Sequence, residues 1–128
     1  MVRVLVIGYA PEAVDFSDPN TPPGLDAARI ANGIREDLEA MHARGWEAEH
    51  LSIRTDEDLK QRISTYLNDK TFDVIVIGAG VRMTGKHVPE LEQVVNAVRD
   101  AAPRTPIAFN SSPNSSGDAA ARWILESA

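Results

Sequence analysis

The sequence predicts a three-layer α/β sandwich around a four-stranded parallel sheet. Two short, almost wholly apolar runs, Val2 to Gly8 and Phe72 to Ile77, read as strands buried on both faces. Two weaker runs, Glu47 to Ile53 and Pro106 to Asn110, read as further strands. Each of the four is followed by residues with helical spacing, and strands alternating with helices imply a parallel sheet.

Taken in order, the first strand opens the chain, and its apolar run is too short to be a secretory signal. A long connection, Tyr9 to Gly24, follows. The first helix then runs from about Leu25 to Arg44, with Ala28, Ala31, Ile34, Leu38 and Met41 on one side and Gly45 as its terminator. The second strand carries Glu47, Glu49 and His50, which suits a sheet edge. Thr55, with Asp58 three residues on, reads as a capping box that starts the second helix, and Leu59, Ile63 and Leu67 form its stripe. The third strand, Phe72 to Ile77, empties into the glycine-rich loop Gly78 to Val88. Pro89 suits the first turn of the third helix, Leu91, Val94, Val95 and Val98 face inward, and Pro103 stops it. After the fourth strand, Ser115 or Ser116 caps a last helix bearing Ala119, Ala120, Trp123 and Ile124, with Trp123 expected in the core.

With the apolar first and third strands at the centre, the strand order is 2-1-3-4. Right-handed crossovers then place helices one and four on one face and helices two and three on the other. The 128 residues suffice for one domain with one core, and no linker or repeat divides them. A net charge of −6 disfavours a nucleic-acid surface. The absence of cysteine removes disulfides, thiolate nucleophiles and cysteine metal sites, and fits a cytoplasmic protein. No segment has the length of a membrane-spanning helix.

Ligands of open α/β sheets bind beyond the carboxyl ends of the strands, where the strand order reverses. Here that point lies between the first and third strands, so the Tyr9–Gly24 and Gly78–Val88 loops line the crevice. Four prolines in the first loop suggest an ordered flap. In the second, Gly78 and Gly80 let backbone approach a ligand, and Arg82 and Lys86 are cations suited to an anion. The spacing matches neither the dinucleotide fingerprint nor a phosphate-binding P-loop. His87 is the candidate general acid or base. Asn110 and Ser111, at the end of the fourth strand, offer neutral hydrogen-bonding groups, and Tyr9 would pack on the ligand. His42, His50 and His87 fall on different elements, so no metal site is expected. No GxSxG elbow is present.

The layer order resembles the receiver domains of two-component signalling, but Gly8-Tyr9-Ala10 and Gly78-Ala79-Gly80 stand where those domains carry their acidic and phospho-accepting residues. It is also similar to flavodoxins, whose Ser/Thr-rich phosphate loop is not matched by Tyr9 to Glu12. The stretch from Val14 to Gly24 and the GAGVR and IAFNSSP segments resemble a group of small flavodoxin-like (Rossmann-like) single-domain proteins. That resemblance implies the fold and a single-domain architecture, and brings no activity, cofactor or catalytic residue with it. The expectation is therefore a binding protein for a small anionic metabolite, nucleotide-like or a carboxylate, that is also a candidate small enzyme. The competing class is an interaction module that self-associates as a homodimer, with Trp123 as its marker.

Overall fold

The computed structural model describes residues 1–14, 24–82, 88–112 and 114–124. Strands β1 (Arg3–Tyr9), β2 (Glu47–Ile53), β3 (Val74–Ile77) and β4 (Ile107–Phe109) form one sheet in the order β2-β1-β3-β4. All three pairings are parallel. This is the flavodoxin-like arrangement expected from the apolar pattern. The two continuous apolar strands lie at the centre, and β2, with its charged residues, lies at an edge.

The helices are α1 (Ala27–Ala43), α2 (Leu59–Leu67), α3 (Ala79–Arg82), α4 (Val88–Ala101) and α5 (Ser116–Ala121), with a 3-10 turn at Pro11–Ala13. Alternation along the strands divides the core into two layers. On one side Leu5, Ile7, Ile75 and Ile77 pack against Leu59, Ile63 and Leu67 of α2 and Val94 and Val98 of α4. On the other, Val4, Val6, Val74 and Val76 pack against Met41 of α1 and Ala119 and Ala120 of α5. That is the face assignment right-handed crossovers require. Among the described residues, no helix is long and apolar enough to cross a membrane.

Three local expectations are corrected. Helix α2 starts at Leu59 rather than Thr55, because the Asp58 side chain is the cap and accepts from the Gln61 N–H at 3.1 Å. The glycine-rich segment is not all loop, since Ala79–Arg82 makes a helical turn directly after β3. Trp123 is 51% exposed rather than core, because α5 ends at Ala121, before the helical spacing reaches it.

Candidate functional site

The carboxyl ends of β1, β2, β3 and β4 deliver Tyr9, Ile53, Gly78 and Asn110 to one end of the sheet. The ends of β1 and β2 are tied together there. Ala10 N–H donates to the Ile53 carbonyl at 2.9 Å, and Arg54 pairs with Glu12 of the 3-10 turn. The rest of the expected flap, residues 15–23, lies outside the described residues, as do Lys86, His87 and the side chain of Arg82.

The glycines at this end answer to different constraints. A Cβ on Gly8 would stand 3.2 Å from Nε2 of His50, so glycine there makes room for the imidazole. A Cβ on Gly78 would meet the Ile7 carbonyl oxygen at 3.3 Å and the Gly8 Cα at 3.6 Å. Close approach of two backbones explains that glycine. Gly80 is exposed, and among the described residues a Cβ on it would meet only the Tyr9 ring, at an ordinary 3.8 Å. Packing among the described residues does not require glycine at that position.

His50 is the functional candidate that sequence reasoning missed. It shares a hydrogen bond with Ser52, Nδ1 to Oγ at 3.0 Å. Register pairs His50 with Val6 and Ser52 with Gly8, which puts both on the α1/α5 face, with the imidazole reaching over β1. Burial pushes its pKa down to about 4, because the charged form is poorly solvated there. The alternation Ala48, His50, Ser52 against Leu51 and Ile53 was the available signal. Read merely as edge-strand polarity, it concealed an inward-facing histidine.

On the same face, Asn110 closes β4 and is only 3% exposed. Its Nδ2 donates to Ser116 Oγ at 3.0 Å, and Ser116 N–H donates to the buried Asp37 of α1 at 3.2 Å. Burial raises the Asp37 pKa, and its hydrogen bonds with Ser116 oppose the rise. Asn110 Oδ1 is buried without a hydrogen-bond partner among the described residues. Ser116, expected to serve as a cap, is instead a fully buried link between α1, β4 and α5. Ser111 is exposed; its N–H and that of Ser112 donate to Ser115 Oγ at 3.1 and 3.0 Å, so the Ser115 hydroxyl organises this turn.

Tyr9 lies on the opposite, α2/α4 face, 7% exposed and part of that core layer. Burial, and then the charge of Glu90, push its pKa up to about 12. The site residues thus fall in two groups. Asn110 shares the α1/α5 face with His50, and Tyr9 lies beside Gly80 on the other.

Two open cavities, about 250 and 500 Å³, lie at the opposite end of the sheet. The first is lined by Arg3, Trp46, Glu47 and Phe72 among others. Its charges are matched internally, with Arg3 bridged to Glu47 at 3.1 Å. Lys70, on the second, donates to Glu49 Oε2 at 3.1 Å, as does the Tyr66 hydroxyl. They sit at the end of the sheet opposite the one where open α/β sheets bind their ligands. No group of three His, Asp or Glu among the described residues is placed to hold a metal ion. No protein-family model and no curated protein matches the chain.

Proposed function

We propose that the protein binds a small anionic metabolite, a nucleotide-like phosphate or a carboxylic acid, at the carboxyl end of β1 and β3. The observation that carries this is Gly80. It is an exposed glycine in a helical turn, at the end of a central strand, and among the described residues it has room for a side chain and no packing reason to lack one. Backbone left bare at a topological switch point suits close approach of a ligand. In this reading Arg82, Lys86 and the N–H groups near Gly80 hold the anion, and Asn110 and Ser111 orient it. His87 is the acid or base if a reaction follows.

The test is a thermal-shift screen of phosphate esters, nucleotides and carboxylic acids, with mass spectrometry of any molecule that co-purifies. A stabilising anion should lose affinity roughly a hundredfold in the Arg82→Ala/Lys86→Ala double variant. Undiminished affinity there would remove the assignment.

A second reading, self-association without catalysis, is favoured by one observation. Phe109, at the end of edge strand β4, is 42% exposed and Trp123 is 51% exposed. The two are joined through Arg122, which donates to the Phe109 carbonyl at 2.9 Å. Sedimentation would show a dimer that Trp123→Ala dissociates without unfolding the chain; a monomer at all concentrations ends that reading.

A further inference from the structure

His50 combines features that a merely structural histidine does not need together. Its Nδ1 is fixed by Ser52, while Nε2 has no hydrogen-bond partner among the described residues and lies over Gly8, where the absent side chain leaves it space. The residue is half-buried rather than sealed, and its imidazole lies over β1, one of the two strands that flank the crevice. A histidine sealed in the core would have both ring nitrogens satisfied by protein groups.

We propose that His50 is the ligand-contacting histidine of the crevice, with Nε2 bonded to a hydroxyl of a hydroxylated organic anion. The proposal rests on the anion-binding reading above and extends it to the chemical class of the ligand. The Ser52 hydroxyl can donate to Nδ1 or accept from it, so either ring tautomer is compatible with the 3.0 Å bond. A ligand hydroxyl, donor and acceptor at once, suits Nε2 in both tautomers. Burial keeps the ring neutral at physiological pH, which suits a hydroxyl rather than the anionic end of the ligand. Asn110 Oδ1 is a second acceptor on the same face without a partner among the described residues. From β1 to β4 is two strand spacings, roughly 10 Å, a span that a sugar phosphate or similar polyhydroxy anion covers.

The experiment follows the ring nitrogens of ¹⁵N-histidine-labelled protein by NMR, together with the melting temperature. The probes are inorganic phosphate, ribose and ribose 5-phosphate, and the His50 signals are identified by their loss in His50→Gln. Ribose 5-phosphate should move the His50 Nε2 resonance and raise the melting temperature. Inorganic phosphate should raise the melting temperature and leave Nε2 in place. His50→Gln should weaken ribose 5-phosphate about tenfold and leave phosphate unchanged. Gly8→Ala, whose methyl displaces the imidazole, should do the same, which keeps the test valid if one variant folds poorly. Ester binding with a silent His50, or with equal affinity in both variants, overturns the His50 proposal and leaves the anion site standing. Ribose perturbing Nε2 with no response to phosphate retains His50 and overturns the anion reading. No response to any probe overturns both.

Discussion

Gly78 and Gly80 are one residue apart, and the structure gives them opposite expectations. A methyl group on Gly78 points at backbone atoms of the central strand, 3.3 Å from the Ile7 carbonyl, and neither strand can yield without breaking the Gly78 N–H to Ile7 bond at 2.8 Å. Gly78→Ala should therefore destabilise by about 1–3 kcal/mol, as overpacking does. Gly80 sits in a helical turn where, among the described residues, a Cβ makes only an ordinary contact with Tyr9, so Gly80→Ala should stabilise by about 0.5–1 kcal/mol by restricting the unfolded chain. Urea unfolding of the two variants checks both signs. A destabilised Gly80→Ala would show that the fold requires this glycine, and would remove the main support for ligand approach there. The glycine-rich segment was legible in the sequence, but the difference between its glycines was not. It depends on which backbone lies opposite, and that is set by strands distant in sequence.

The elements were legible because their signals are local. β-branched runs located β1 and β3, and apolar spacing located α1, α2 and α4. The misplaced start of α2 shows where local reading fails. Thr55 and Asp58 both have capping chemistry, and the choice fell to Asp58 because residues 55–57 turn first, with Arg54 N–H donating to Glu57 Oε2 at 2.7 Å. Asp58→Ala should cost about 1 kcal/mol and Thr55→Ala close to nothing. Equal losses in urea midpoints would contradict the assigned cap. Helix α5 is held differently. At six residues it is too short to persist alone, and its buried anchor is Ser116 N–H on Asp37, backed by Arg44, which bridges to Asp118 at 2.6 Å. Asp37→Ala orphans that N–H and should cost about 1–3 kcal/mol. Hydrogen exchange should show the amides of Ala119 and Ala120 opening ahead of those in β1; a uniform change across the chain would mean that Asp37 does not act on α5. Nothing in the spacing of Asp37 and Ser116 announces this link, which forms only when the first and last helices share a face.

For the whole molecule, the strand order and both helix layers followed from connection rules, whereas the inward placement of His50 depended on burial. That burial has a measurable consequence. Its folded pKa, about 4, lies below the value near 6.5 of an unfolded chain. Between those values the unfolded state binds more protons, so stability falls as pH falls from 6.5 toward 4. By pH 5 the loss from this residue should reach about 2 kcal/mol. Two carboxylates with shifted pKa values act as well. Asp37, raised by burial against its Ser116 hydrogen bonds, acts in the opposite sense and recovers stability as it protonates on acidification. Burial disfavours the charged form of Glu49, but Tyr66 and Lys70 outweigh it and hold its pKa below the usual value; its contribution is lost only as pH falls below the ordinary carboxylate range. Replacement of His50 by glutamine removes the first of these three and leaves the others. Urea unfolding at pH 7 and pH 5 should therefore show the wild type losing about 2 kcal/mol more than His50→Gln. Parallel losses in the two proteins would mean that the imidazole is solvated well enough to charge in the folded state. The uncharged character assigned to it in the crevice would then fail as well.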